Sequence, residues 1–184
     1  PLFGTTRAHV AALITEMGEP STRAWLEAMK ANDVRLYDGN ASVVRAISNG
    51  EIEVGLTDTD DVWSGQRNGW PIAAAYEAIA ETEPDSGTLS SLGALVIPNT
   101  VALLKGGPNP AGGAKLANFL LSLEGELTQA RSDSRNVPIR PEARAALGEE
   151  FKPYDFETRW EPDFVAVEER SARAVELFNE VFGR

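Results

Sequence analysis

Asp58-Thr59-Asp60-Asp61 is the densest concentration of chemistry in the sequence. Three carboxylates within four residues offer hard oxygen donors of the kind that hard cations take. The same residues can instead open a helix, with Asp58 or Thr59 as its N-cap and the remaining acids favoured by the helix dipole. Gly4-Thr5-Thr6 offers the opposite chemistry. Free backbone N–H groups at a helix start, with two hydroxyls beside them, suit an anion, and the plainer alternative is again a cap. Asn40 stands at a third expected helix start and can cap it. Trp63, Trp70 and Tyr76 read as packing aromatics, although Tyr76 could also face a cleft. Arg7 reads as an exposed ion-pairing residue, and His9 as a surface or boundary residue.

Nothing around these residues makes a catalytic set. The sequence has no phosphate-binding glycine loop, no nucleophile elbow and no HExxH pattern, so a binding protein is expected rather than an enzyme. The composition narrows the field further. No cysteine excludes disulfides, thiolate zinc sites and a cysteine nucleophile, and one histidine excludes a multi-histidine metal site within the chain. Against 28 acidic side chains stand 17 basic ones, a net charge of −11, which argues against nucleic-acid binding. At 42 % hydrophobic and 24 % charged, the 184 residues have the make-up of a globular protein with a real core. No apolar run approaches the ~20 residues of a membrane span. There is no initiating Met or signal sequence, and Pro1-Leu2-Phe3-Gly4 reads as the start of a mature or truncated chain.

The elements that must position the candidate residues follow from periodicity. Helices are expected over Thr5–Met17, ended by Gly18, and from Ser21 as N-cap to about Ala31. Val34–Tyr37 and Ile52–Leu56 alternate as strands, with a helix from Asn40 to Asn49-Gly50 between them. A helix through Trp63 follows, then an ambiguous stretch over 71–82. Gly93–Ile97 and Thr100–Lys105 read as strands. Pro110–Leu121 reads as a helix with Leu116, Phe119 and Leu120 inward, and another helix starts near Leu123. Val137–Ile139 is extended, Pro141–Leu147 helical, and Pro162–Phe182 a long closing helix. The early helix–strand alternation implies α/β construction with parallel strands.

Taken together, several phrases resemble one family. They are the opening Pro1-Leu2-Phe3-Gly4-Thr5-Thr6, Tyr37-Asp38-Gly39-Asn40, Ser48-Asn49-Gly50-Glu51-Ile52 and the run Gly55 to Asp61. Leu95-Val96-Ile97-Pro98-Asn99-Thr100 and Ala117-Asn118-Phe119-Leu120-Leu121-Ser122 complete the series. In this order they resemble the ferric-ion-type periplasmic substrate-binding proteins of ABC transporters, which have the type 2 periplasmic binding fold.

The resemblance implies an α/β, type 2 periplasmic-binding-protein-like chain: one three-layer lobe plus the returning part of the other lobe. Residues 1–96 would be the second, ligand-binding lobe and residues 97–184 the return segment of the first, in the C-terminal portion of a longer, monomeric protein. It implies a periplasmic or extracytoplasmic solute-binding component that captures iron, another hard cation or an anion and delivers it to a membrane permease. Gly4, Thr5, Thr6, Asn40, Asp58 and Thr59 would contact ligand or a synergistic anion. Asp60 and Asp61 occupy positions where iron-binding members carry a tyrosine pair, and would be the metal ligands here. An effector-sensing regulatory domain on the same bilobal fold is the alternative.

Overall fold

The computed structural model describes residues 4–76, 80–82, 89–91, 93–149 and 159–183. In chain order the elements are α1 (Gly4–Ala31), α2 (Asn40–Ser48), α3 (Thr59–Arg67), β1 (Ala80–Thr82), β2 (Leu89–Ser91), β3 (Ala94–Leu95), α4 (Pro110–Leu120), α5 (Leu123–Ala130), α6 (Pro141–Leu147), β4 (Arg159–Trp160) and α7 (Phe164–Phe182). They fall into two compact units. One comprises Pro1–Leu36, Tyr76–Ile97 and Glu157–Arg184, and the other Tyr37–Ala75 and Pro98–Phe156.

The first unit is organised by α1 and α7. Val10, Leu13, Ile14 and Leu26 recur at helical spacing on α1, as do Val167, Ala174, Leu177, Phe178 and Val181 on α7, and all are buried in one cluster with Trp160. Leu13 and Leu177 have no exposed surface at all. Each such leucine contributes roughly 1.5–3 kcal/mol through the water it sheds. Polar groups secure the ends of the pair. Lys30 Nζ donates to the Val181 carbonyl at 2.6 Å, satisfying a carbonyl that the last turn of α7 leaves open. Arg173 bridges to Glu19 at 2.6 Å and Glu180 at 2.8 Å, and Arg23 also pairs with Glu180. Hydrogen bonds from Arg173 and then Arg23 hold the Glu180 carboxyl down to about 2.

Gly18 marks the break expected inside α1: at φ 78 and ψ 160 it leaves the helical region. The second half starts from Gly18 itself, whose carbonyl accepts a hydrogen bond from the buried Thr22 Oγ1. Ser21, expected as the cap, therefore lies inside the helix; Pro20 fits the first turn, where it gives up no bonded N–H. Strands are short here. β1 and β2 pair antiparallel, and β3 pairs parallel with β4, extended by the Val96 N–H to the Trp160 carbonyl at 2.9 Å.

His9, expected as a surface or boundary residue, is half-buried. Its ring packs against Trp25 and Trp160, with centroids 6.2 and 6.4 Å away, and its Nε2 is buried. Burial lowers its pKa to about 4. The unfolded chain therefore takes up a proton near pH 6.5 that the folded chain refuses until about pH 4. Stability is full above pH 6.5 and falls as pH drops toward 4, by on the order of 2–3 kcal/mol for this residue. His9→Gln is expected to flatten that part of a denaturant-midpoint profile; an unchanged slope between pH 6.5 and 4 would contradict it.

In the second unit α2 packs on α3, and α5 packs on both α4 and α6. Trp63 on α3, Ala130 on α5 and Leu147 on α6 share a buried cluster, with Leu127 and Val137 against it. Trp63 is thus a core residue, with the Arg135 guanidinium 5.7 Å from its ring centroid. Arg67 at the end of α3 pairs with Asp133 at 2.9 Å. The α4–α5 turn is tight. A Cβ on the buried Gly125 would collide with the Phe119 carbonyl and come within 2.9 Å of the Leu120 carbonyl. Because both obstacles are backbone, Gly125→Ala is expected to cost about 2–3 kcal/mol in chemical denaturation.

Three expected strands do not form. Val34–Tyr37, Ile52–Leu56 and Thr100–Lys105 are irregular in the structure, and Gly93–Ile97 contributes only the short β3. Alternation encodes a strand's faces but not its neighbour, and an extended segment without a partner has no ladder to join. Leu116 and Phe119, expected inward, are 59 % and 42 % exposed. Residues 77–79, within the ambiguous stretch 71–82, lie outside the described residues.

Candidate functional site

The candidate site forms where the chain leaves 52–57 and enters α3. Asp58 takes the N-cap position in extended conformation, Thr59 is the first helical residue, and Asp60 and Asp61 occupy the first turn. Asp58 makes no side-chain cap hydrogen bond. Its Oδ2 instead accepts from the Asn40 side-chain amide, 18 residues earlier in sequence. Asn40 is the first residue of α2, after Gly39 at the N-cap position, so it ties the starts of two helices together rather than capping its own. Thr57 Oγ1 adds a longer hydrogen bond to the Asn40 carbonyl at 3.4 Å.

This arrangement draws the acids into one cluster. Asp58, Asp60 and Asp61 each present a carboxylate oxygen within 4.8 Å of the others. Oxygens on opposite sides of a single ion lie about 4 Å apart at Mg²⁺-like bond lengths and about 5 Å apart at Ca²⁺-like ones, so this spread fits one shared cation. Asp60 is exposed, while Asp58 and Asp61 are half-buried, which leaves an approach from solvent. Asp58 Oδ1 is buried and accepts no hydrogen bond from the described residues.

The electrostatics are those of crowded like charges. The Asp58 carboxyl is raised above the ordinary carboxylate range, first by burial and then by the adjacent Asp61 carboxylate, with the Asn40 hydrogen bond acting the other way. Asp60 is also raised, chiefly by burial and next by the charge of Asp58. The positive end of α3 favours ionised acids at this place, yet burial and repulsion outweigh it. A cation set among these oxygens would reverse the repulsion and displace protons at the same time.

Gly4, Thr5 and Thr6 belong to the other compact unit, where they open α1. Gly4 has φ +61, Thr5 is half-buried and Thr6 exposed. Arg7 follows in the same turn and is half-buried. Trp70 packs at the close approach of α2 and α3: a Cβ on Gly65 would come within 2.9 Å of its ring and 3.1 Å of Val44. Tyr76 is half-buried. The Asn40–Asp58 link was outside the reach of sequence reasoning, because both residues look like independent caps until the two helix starts are seen side by side.

Comparison with known proteins gives one partial likeness. Over 50 residues the chain is 42 % identical to the Fe(3+)-binding periplasmic protein of Serratia marcescens, a stretch that takes in 27 % of this chain and 14 % of that protein. Since the same residues are the larger share of this chain, the relative is about twice as long. No protein-family model matches the chain, and no solved structure matches it. No described helix is long and apolar enough to cross a membrane.

Proposed function

We propose that this chain is the C-terminal portion of an extracytoplasmic solute-binding protein that captures a hard cation, ferric iron foremost, for delivery to an ABC permease. The observation that carries the reading is the convergence of Asp58, Asp60 and Asp61 within 4.8 Å. The partial likeness to a ferric-binding periplasmic protein supports the cation and the compartment. The family-like phrases support the type 2 bilobal fold, with residues 1–96 in its second lobe and 97–184 returning into the first.

In this reading the cation is cargo, and the chain's own groups do three things. Asp60 and Asp61 take the place of a tyrosine pair as anionic oxygen donors. Asp58, steadied by Asn40, supplies a third carboxylate and the lowest-dielectric charge of the set. The polar start of α1 at Gly4-Thr5-Thr6, in the other compact unit, offers N–H and hydroxyl donors to an anion of its own. Three carboxylates do not fill the coordination sphere of a hard ion, which leaves positions for water or a further ligand.

Calorimetric titration of the full gene product with ferric citrate tests the assignment. Asp60→Ala combined with Asp61→Ala is expected to weaken binding by about 100-fold or more, since two of three charged donors are lost. Unchanged affinity in the double variant would overturn the site.

A further inference from the structure

An acid or its amide precedes glycine three times in this chain, at Asp38-Gly39, Asn49-Gly50 and Asn68-Gly69. Such pairs are where a polypeptide can modify itself. Glycine has no Cβ to shield its nitrogen, which can attack the side-chain carbonyl carbon one residue earlier and close a five-membered succinimide. All six residues are exposed, so access to water does not separate the three pairs. Sequence alone puts the two Asn pairs first, because an ionised carboxylate is a poorer electrophile than an amide.

The fold opposes that order. Asn49 and Asn68 are the C-cap residues of α2 and α3. The Gly50 N–H donates to the Ile47 carbonyl at 2.9 Å and the Gly69 N–H to the Gln66 carbonyl at 3.0 Å, so each attacking nitrogen is held in a helix-ending turn. With ψ at −6 and 4, Asn49 and Asn68 also set that nitrogen beside their own backbone nitrogen rather than beside the side chain. Their amides are engaged too: Asn49 Nδ2 donates to Glu51 Oε1 and Asn68 Nδ2 to the Ser64 carbonyl, each at 3.0 Å. Asp38 and Gly39 differ on every count. They lie in the bend before α2, and the Gly39 N–H donates to no backbone carbonyl among the described residues.

We propose that Asp38-Gly39 is a self-modification site, where the folded protein converts aspartate to isoaspartate and so shifts Asn40 off Asp58. The Gly39 nitrogen attacks Asp38 Cγ; the new C–N bond forms as a Cγ–O bond breaks, and the amide proton leaves with that oxygen as water. Solvent water then opens the ring at the α-carbonyl carbon, leaving a free α-carboxylate and a main chain that runs through Cβ and Cγ. Composition and mass end unchanged. The backbone gains one atom just before Gly39, whose carbonyl starts α2 by accepting from the Ser42 and Val43 N–H groups at 3.1 and 3.2 Å. Asn40 is the next residue, and its hydrogen bond to Asp58 Oδ2 depends on where that turn begins.

Ageing the full gene product for weeks at body temperature and mildly acidic pH, folded and in urea, tests the proposal by peptide mapping with electron-transfer fragmentation. In urea, Asn49 and Asn68 are expected to react first, each marked by a gain in mass. In the folded protein both are expected to slow by about 100-fold or more, because reaction waits on local opening, while Asp38 stays within about threefold of its unfolded rate. Gly39→Ala is expected to slow Asp38 about tenfold or more with the melting temperature unchanged. Backbone there is extended, at φ −179, and an added Cβ meets nothing within 4 Å. In the isoaspartyl form, separated by chromatography, the Asn40 side-chain amide resonances are expected to shift. Folding that protects Asp38 as strongly as Asn49 and Asn68 would overturn the site, and unmoved Asn40 resonances would overturn the link to Asp58. No cation enters the experiment, so it stands or falls separately from the calorimetric test of binding.

Discussion

Asp58→Asn is expected to raise the stability of the ligand-free protein at neutral pH while weakening cation binding by about tenfold or more. The two effects come from one cause. Asp58 has a pKa above the ordinary carboxylate value, so the folded state holds its proton more tightly than the unfolded state does. Its contribution to stability is therefore complete in acid and is lost as pH rises through the folded pKa. Asparagine carries no charge to be repelled by Asp61, and it keeps a carbonyl oxygen to accept from the Asn40 amide. The gain is modest, since Asp58 is only half-buried and water screens part of the repulsion. Binding loses a charged donor outright. Melting curves at pH 4 and pH 8, beside calorimetry at pH 8, check both halves. A variant that loses stability at pH 8, or binds as well as the parent, would show that the carboxylate has a structural role instead.

Leu177→Ala is expected to cost about 3–4 kcal/mol, the largest effect of any single substitution considered. Leu177 is fully buried between α7 and α1 beside Leu13, Ala174 and Phe178. Removing its side chain loses the transfer energy and leaves a cavity that two packed helices close only in part. For a chain of this size that corresponds to a fall in melting temperature of about 10 °C. The ion pairs over the same helix pair offer a contrast. Arg173 is bonded to Glu19, Glu176 and Glu180, yet these groups face solvent, so Arg173→Ala is expected to give a small loss that fades with added salt. Urea denaturation of both variants at low and high salt decides the order; a larger cost for Arg173→Ala would contradict a core-dominated account.

The helices were legible in sequence because each carries its own evidence. Asn109, Ser122 and Asp163 each accept backbone N–H bonds at the starts of α4, α5 and α7, and Gly183 ends α7 in the left-handed region. Strands carry half of theirs. Ile52–Leu56 alternates as a strand does and Thr100–Lys105 is a strand-sized apolar run, but what makes a strand is a neighbour, and no local pattern names it. The same limit applied to α4, whose apolar stripe was read correctly as a stripe while its direction depended on what lies opposite. His9 read as a surface or boundary residue and is half-buried, but its ring contacts with Trp25, beyond the Gly18 break, and with Trp160, 151 residues away, are outside any local pattern. At the candidate site, the grouping of Asp58, Asp60 and Asp61 follows from their adjacency at one helix start. The Asn40 contact that orients Asp58 does not.

Asp58, Asp60 and Asp61 are proposed to hold a cation together. Native mass spectrometry of the full gene product, purified without added metal or chelator and then exposed to one equivalent of ferric citrate, tests it most directly. One ferric ion per chain is expected in the parent protein and none in the variant combining Asp60→Asn and Asp61→Asn. Equal iron occupancy in the two proteins, or a parent protein that stays at its bare mass, would contradict it.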